Sequence, residues 1–289
     1  EHENPYDKIP YTVVDSPKMQ ALNLEAAEKC LVLLKNEGDL LPLDPAKIKN
    51  IGIIGPNADN RRALMGNYEG TASGYVTISE GIREYVGDSV RIRVSEGCHL
   101  YKDRISNLSC GHDRDSEVRG ICEVSDVVIL CLGLDPGLEG EEGDEGNQYA
   151  SGDKPDLRLP GRQQEILKLA CASGKPVVLV LLTGSALAVG WADEHVPAIL
   201  LGWYPGALGG RAVAHALFGR RNPEGRLPVT FYRTTEELPP FTDYSMKGRT
   251  YRYMEQEALY PFGYGLSYTS FTYEKREVIQ EVDGVKVKV

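Results

Sequence analysis

Six carboxylates lie in a glycine-rich loop directly after the apolar run 130–132, and no Lys or Arg lies among them. Like-charged neighbours and partial burial both raise the pKa of a carboxyl group, so one of the six can keep its proton near neutral pH and act as a general acid. The connection 135–156 exceeds 20 residues, a length that is usually functional or disordered. A solvated acidic surface loop is the alternative, and the pattern alone favours neither. The carboxylates are Asp135, Glu139, Glu141, Glu142, Asp144 and Glu145.

Metal-binding spacings are missing from the sequence. Counting Asp135 as the first position of an EF-hand calcium loop places Gly137 at the third position and Gly146 at the twelfth, where a bidentate Glu is required. The five histidines form no HExxH pair, and the six cysteines show no CxxC or His-paired spacing. The sequence therefore predicts neither a metal site nor a bound cofactor.

Two other site patterns also fail. The glycines of 206–210 follow a strand and open a helix as a nucleotide site would, but they match neither GxGxxG nor GxxxxGK[ST]. A tight turn with close helix packing is the favoured interpretation of these glycines. The residues around Ser73 and Ser185 lack the GxSxG pattern of a serine hydrolase.

A pair of aromatic residues, Trp203 and Tyr204, follows another predicted strand. Sugars stack on such rings, so both are candidate substrate-binding residues. Buried core aromatics are the commoner explanation, and both interpretations stay open.

The elements that must position these residues alternate along the chain. Near-continuous Val/Ile/Leu strands that alternate with helices are typical of an α/β fold, an αβα sandwich with a mainly parallel sheet. Ligands of such sheets bind at the carboxyl ends of the strands, which is where the acidic loop begins. The predicted strands are 51–55, 89–94, 126–132, 177–182, 198–201 and 225–231. The predicted helices are 20–34, 79–85, 117–124, 162–172 and 210–218. Asn57 is predicted to cap a further short helix that begins at Ala58.

Composition restricts the classes of partner. The chain has 289 residues, 42 acidic and 32 basic, with a net charge of −10 and no basic stripe, which argues against a nucleic-acid partner. It contains no run of 18 apolar residues, so no membrane span is predicted. The dispersed cysteines are interpreted as reduced core thiols, which favours a reducing compartment such as the cytoplasm, although a large secreted domain can also carry them.

Four regions are predicted along the chain. Residues 1–20, broken by three prolines, form an interdomain linker, and 21–240 form the sandwich. Residues 241–268 are a Tyr/Pro-rich connecting strap. In 269–289, Asp283-Gly284 between two strand-like runs is a hairpin signal, interpreted as the start of a further β domain. The first residues are neither a start methionine nor a signal peptide and are typical of the middle of a longer chain.

Several stretches, in order and together covering about residues 20–275, resemble the C-terminal αβα-sandwich domain of glycoside hydrolase family 3. They are LVLLKNE at 31–37 with LLPL at 40–43, IIGPNAD at 53–59, LRLPGRQ at 157–163, WYPG at 203–206 with the glycine pair 209–210, GRLPVTF at 225–231 and YPFGYGLSY at 260–268.

The resemblance implies part of a retaining β-glycosidase, similar to β-xylosidases and β-glucosidases. Such enzymes place a nucleophilic Asp on a preceding TIM-barrel domain and an acid/base Glu on the sandwich. In β-xylosidase-like members this Glu is the first of a Glu-x-Glu pair after Gly-x-Asp, which matches Glu139, with Glu141 in reserve. Many members continue with Asp-Arg, whereas this chain has Asp144-Glu145 and a longer segment 146–156, so the register between the two candidates stays open.

The resemblance also implies the surroundings of the domain. Its partners would be an oligosaccharide or β-glycoside substrate and the barrel of the same protein, covalently joined or as a nicked chain; a homo-oligomer is left open. Residues 1–20 would leave the barrel, and 269–289 would begin a fibronectin-III-like domain. The chain by itself is then expected to be inactive. The rival hypothesis is a non-catalytic carbohydrate-binding or regulatory module on the same fold.

Overall fold

The computed structural model describes residues 4–139, 154–240, 242–270, 272, 277–281 and 284–288. The strands are β1 (Val32–Asn36), β2 (Asn50–Ile54), β3 (Arg91–Ser95), β4 (Val127–Gly133), β5 (Val177–Leu182), β6 (Ala198–Leu201), β7 (Glu277–Glu281) and β8 (Gly284–Lys288). The helices are α1 (Pro17–Cys30), α2 (Ile78–Val86), α3 (Asp115–Val124), α4 (Gln163–Cys171), α5 (Gly190–His195), α6 (Gly209–Leu217) and α7 (Thr250–Tyr253).

Six strands form one sheet in the order β1-β6-β5-β4-β2-β3. All neighbours pair in parallel except β1, which runs antiparallel to β6 at one edge. Every residue of β4 and β5 is buried, as expected for central strands covered on both faces. One apolar core lies between the sheet and α3, α4 and α5, and the other lies between the sheet and α1, α2 and α6. The predicted αβα sandwich with a mainly parallel sheet is confirmed.

The predicted helix 20–34 is wrong in its last part. α1 ends at Cys30, and the following residues form β1. Val32 and Leu34 enter one core while Leu31 and Leu33 enter the other, which is the two-residue alternation of a strand. A run of four consecutive apolar residues suits a strand with both faces covered, whereas a helix would bury only one side of it.

The predicted strand 225–231 is also wrong. Among the described residues this segment has no regular partner strand; it bonds instead to the strap, defined here as residues 242–268. The Leu227 N–H donates to the Tyr264 carbonyl at 2.8 Å, and the Phe231 N–H donates to the Tyr260 carbonyl at 2.9 Å, where the two residues form an isolated bridge. Pro228, which lacks an N–H, interrupts any longer ladder between them.

The strap packs onto the sandwich through its tyrosines. Tyr260 is buried and its hydroxyl donates to Asp193 at 2.8 Å, while the Tyr264 hydroxyl donates to the Leu34 carbonyl of β1 at 3.0 Å. The two rings stack with centroids 5.3 Å apart. The strap therefore closes over the sheet edge formed by β1.

Smaller differences concern local elements. The sequence did not predict α5 or α7. The expected helix from Ala58 is a turn, and Asn57 is buried, with its side-chain N–H donating to the Leu134 carbonyl at 3.0 Å. Asn57 thus ties the end of β2 to the segment after β4 instead of capping a helix.

Glycines allow α2 and α6 to cross closely. A Cβ added at Gly210 would lie 1.8 Å from the Thr77 carbonyl oxygen, and one at Gly81 would lie 2.1 Å from the Gly210 carbonyl carbon. Backbone hydrogen bonds from Gly210 N–H to the Val76 carbonyl, 2.9 Å, and from Val76 N–H to the Ala207 carbonyl, 2.8 Å, fix this crossing. The glycines of 206–210 therefore serve close helix packing, as favoured from the sequence.

β7 and β8 form a two-stranded antiparallel hairpin. That this hairpin begins a fibronectin-III-like domain stays a prediction, as do the four domain boundaries. Among the helices of the described residues, none is long and apolar enough to cross a bilayer.

Candidate active site

Three loops meet at the carboxyl edge of the sheet. β4, β5 and β6 lie side by side in parallel and end at Gly133, Leu182 and Leu201. Each of the three loops that follow contributes to one cluster of polar side chains. This is the position at which open parallel sheets bind ligands.

Glu139 lies at the centre of this cluster, and its carboxylate accepts three hydrogen bonds from the other two loops. The Gly184 N–H donates to Oε2 at 2.7 Å, and the Tyr204 hydroxyl donates to the same oxygen. The Ser185 hydroxyl donates to Oε1. Because hydrogen bonds to a charged group are stronger than those between neutral groups, these donors hold the carboxylate in one orientation.

The backbone at Gly184 comes close to its neighbours because it has no side chain. A Cβ there would lie 2.8 Å from Glu139 Oε2 and 2.8 Å from Tyr204 Cε2. Any larger residue would displace the carboxylate or the phenol ring.

Tyr204 acts on the carboxylate as a neutral donor. Burial raises the pKa of the Tyr204 phenol, and the adjacent negative charge of Glu139 raises it further. The phenol therefore keeps its proton at neutral pH and above the pH at which a free tyrosine titrates.

Asp135 shapes the turn that carries Glu139. Its Oδ1 accepts from the N–H groups of Gly137 at 2.9 Å and Leu138 at 3.2 Å, and its carbonyl accepts from the Glu139 N–H at 3.3 Å. Burial raises the pKa of the Asp135 carboxyl, and Arg62, 3.8 Å away, opposes this rise. Asp135 therefore fixes the conformation of the turn, and the Glu139 carboxylate contacts the other two loops.

The end of β4 is fixed by a buried glutamine. The Gln163 side chain accepts from the Gly133 N–H at 2.7 Å and donates to the carbonyls of Gly133 at 2.8 Å and Leu100 at 2.7 Å. Gly133 has φ +134°, and a Cβ there would lie 2.0 Å from the Leu182 carbonyl oxygen of β5. The backbone at Gly133, from which the acidic loop starts, is therefore held in place by hydrogen bonds and close packing.

A buried lysine lies near the site. The side chain of Lys154 is 7% exposed, and its ammonium donates to the carbonyls of Asp156 at 2.6 Å and Arg158 at 3.1 Å. Burial lowers the pKa of Lys154, and the negative charges of Asp156 and Glu139 oppose this change. Lys154 therefore supplies positive potential to the carboxylates of Asp156 and Glu139.

Residues 31–268 match the model of the glycosyl hydrolase family 3 C-terminal domain. The chain belongs to glycoside hydrolase family 3. The matched range contains all six strands of the main sheet and every residue of the cluster around Glu139.

Relatives in family 3 are named as β-xylosidases and β-glucosidases. A β-xylosidase from Formosa agariphila is 37% identical over 262 residues, which cover 86% of this chain and 34% of that protein. A β-glucosidase structure from Erythrobacter marinus superimposes with a TM-score of 0.78 at 32% identity, covering 93% of this chain and 38% of that one. A family 3 exo-β-xylosidase in complex with a xylobiose aziridine probe superimposes with a TM-score of 0.79 at 28% identity. The match covers 93% of this chain and 34% of that one. The chain thus spans little more than a third of these relatives.

The candidate residues occupy different places in this family 3 domain. Glu139 and Tyr204 are brought into direct contact, whereas Glu141 lies outside the described residues. Trp203 is half-buried with φ +56°, and its ring packs edge-on against Phe231 with centroids 6.4 Å apart. Among the described residues, no group of three His, Cys, Asp or Glu side chains is arranged to hold a metal ion.

Sequence reasoning missed Gly184 and Ser185. In the sequence they lie where a serine-hydrolase motif would be sought, and they do not form one. Their position directly after β5 was the available signal, because β4 and β5 are neighbouring parallel strands and their carboxyl ends lie at the same edge. Lys154 carried no local signal, since its burial depends on contacts with the loop 156–158.

Replacing Gln163 with Leu should lower the free energy of unfolding by about 2 kcal/mol, because the buried Gly133 N–H loses its partner. Gln164→Leu is the matched control, since the Gln164 side-chain nitrogen is buried and has no hydrogen-bond partner in the described part of the chain. Urea unfolding followed by circular dichroism measures both variants. Equal losses in the two would show that the hydrogen bonds of Gln163 are not what fixes the end of β4.

Proposed function

We propose that this chain is the sandwich domain of a retaining β-glycosidase and that Glu139 is its general acid/base. The nucleophilic Asp would lie on a TIM-barrel domain outside this chain. The observation that carries the proposal is the orientation of the Glu139 carboxylate by three donors at the carboxyl edge of the sheet. This chain together with the proposed barrel is termed the parent protein.

The proposed reaction is a double displacement. The nucleophile attacks the anomeric carbon while Glu139 protonates the leaving-group oxygen, and a covalent glycosyl-enzyme forms. Glu139 then removes a proton from water, which attacks the same carbon and releases the sugar with its original configuration. Retention requires the two carboxyl groups to lie about 5 to 5.5 Å apart, so the barrel must dock against the edge that presents Glu139.

The proposed substrates are terminal β-linked xylose or glucose units of oligosaccharides and glycosides. The names of the relatives support this class, since they include both β-xylosidases and β-glucosidases. The choice between the two sugars depends on contacts from the barrel as well as from this domain. We further propose that residues 1–20 link the sandwich to the barrel.

The stereochemistry of the first product tests this proposal. The parent protein, given an aryl β-xyloside or β-glucoside, should release the β-anomer first, as followed by proton NMR before mutarotation. The 289-residue chain alone should show no turnover above background, because it lacks the nucleophile. Release of the α-anomer first, or turnover of about 1 to 1000 per second by the chain alone, would refute it.

The same measurements separate this proposal from a carbohydrate-binding module. A module would bind sugar as an isolated chain with an affinity that Glu139→Gln leaves unchanged, and its parent protein would not hydrolyse the glycosides. That combination would replace the enzymatic proposal by the binding one.

A further inference from the structure

The two oxygens of the Glu139 carboxylate differ in how many of their lone pairs are occupied. A carboxylate accepts about four hydrogen bonds, two at each oxygen. Oε2 accepts from the Gly184 N–H and the Tyr204 hydroxyl, which fill both of its positions. Oε1 accepts from the Ser185 hydroxyl, so within the described residues one position on Oε1 stays open.

We infer that Oε1 carries the transferred proton and that Tyr204 and Ser185 are positioning residues for this transfer. The inference rests on the proposed role of Glu139 as the acid/base. A proton needs a lone pair, and the open one lies on Oε1. Gly184 and Tyr204 hold the other oxygen, Oε2, which limits the directions in which Oε1 can point.

The bonding changes balance at this oxygen. In the first step the nucleophile bonds to the anomeric carbon as the glycosidic C–O bond breaks; the leaving-group oxygen takes the electron pair of that bond and the proton from Oε1. In the second step Oε1 takes a proton from water while the water oxygen bonds to the anomeric carbon and the bond to the nucleophile breaks. Oε2 keeps its two donors throughout both steps.

The two groups that donate to Oε2 can do so in both steps of the reaction. A backbone N–H such as that of Gly184 can only donate. The Tyr204 phenol stays protonated because burial and the charge of Glu139 raise its pKa. Neither group therefore competes with the leaving group or with water for the transferred proton.

One edge of the half-buried Tyr204 ring lies close to the backbone of Gly66 and Gly184. A Cβ at Gly66 would lie 3.7 Å from Tyr204 Cδ2, and one at Gly184 would lie 2.8 Å from Cε2. The Tyr204 hydroxyl donates to the Glu139 carboxylate, which suits a positioning residue. The inferred role of Tyr204 is this contact with Glu139, whereas the earlier hypothesis was stacking on substrate.

The first test is Tyr204→Phe in the parent protein. We expect kcat to fall about 10-fold with KM unchanged. The alkaline limb of the kcat/KM profile should move up by about one pH unit, because loss of a donor to the charged carboxylate lets the carboxyl keep its proton to higher pH. The control is Tyr268→Phe, which removes a partly buried hydroxyl that donates to the Ala216 carbonyl, 2.7 Å away and on another part of the fold. It should leave the profile unchanged.

The second test compares Ser185→Ala with Ser185→Thr. Alanine should lower kcat and move the alkaline limb upward, and threonine, which keeps a hydroxyl, should restore both. A raised KM with an unmoved limb in Tyr204→Phe, or equal profiles for Ala and Thr at position 185, would overturn the inference.

Glu139→Gln in the same assay separates the two proposals. If activity survives that change, the proposed role of Glu139 fails. If activity is lost but Tyr204→Phe leaves the pH profile in place, only the positioning inference fails.

Discussion

Glu139→Gln in the parent protein should lower kcat/KM by about 1000-fold on xylobiose or cellobiose, whose leaving sugar needs a proton. On aryl glycosides with an acidic leaving phenol the loss should be much smaller, because such a phenolate departs without protonation. Steady-state kinetics on a series of leaving groups measures this difference. Glutamine keeps the size of the side chain. Its single oxygen can accept from the Gly184 N–H and the Tyr204 hydroxyl, and its NH2 can donate to the Ser185 hydroxyl, so the loss reports the missing proton.

Two companion variants make this result decisive. Glu224→Gln, an exposed carboxylate, should leave both substrates unaffected. Glu141→Gln tests the reserve candidate directly. A large loss at Glu141 with none at Glu139 would shift the acid/base role along the loop.

Azide gives an independent check of the same role. In Glu139→Ala, azide can enter the space of the carboxylate and attack the glycosyl-enzyme without a general base. The expected product is the β-glycosyl azide, identified by mass spectrometry and NMR. If Glu139→Ala keeps full activity and forms no azide adduct, Glu139 is not the acid/base.

Gly210→Ala should destabilise the fold by about 3 kcal/mol, which lowers the melting temperature by roughly 6 °C in a chain of this size. The added Cβ would lie 1.8 Å from the Thr77 carbonyl oxygen, and backbone hydrogen bonds prevent α2 and α6 from separating. Differential scanning calorimetry measures the effect.

Gly120→Ala is the matched control for this substitution. Gly120 lies within α3, is exposed, and has no atom within 4 Å of an added Cβ. Alanine there should be neutral or stabilise the fold by up to about 1 kcal/mol, since glycine is a poor helix residue. Similar destabilisation by both substitutions would contradict the close crossing of α2 and α6.

The central strands could be predicted because their signal is local. β5 and β6 are continuous runs of Val, Ile, Leu and Ala, and both were predicted with the bounds they have in the structure. The local pattern gives the wrong prediction at 31–34, because an apolar run directly after a helix also fits a continuation of that helix. Residues 32–36 form a strand because they pair with β6, about 165 residues later in the chain. A local sequence pattern does not contain this long-range pairing.

The candidate site was predictable only in part for the same reason. Glu139 was identified through a family resemblance rather than through spacing. Its contacts with Ser185 and Tyr204 join residues 46 and 65 positions apart, and they depend on the adjacency of β4, β5 and β6. A sequence pattern can place each residue after a strand, but the order of strands in the sheet decides which loops meet.

The three donors to Glu139 all belong to the chain that carries Glu139. The proposed acid is therefore oriented within one folding unit, and the proposed barrel has to supply the nucleophile at the correct separation together with its own contacts to the sugar. Family 3 barrels should then be interchangeable on this sandwich: a chimera with a barrel of different sugar preference would keep the proposed proton donor and shift its preference towards that of the new barrel, provided that the two domains dock in the same register.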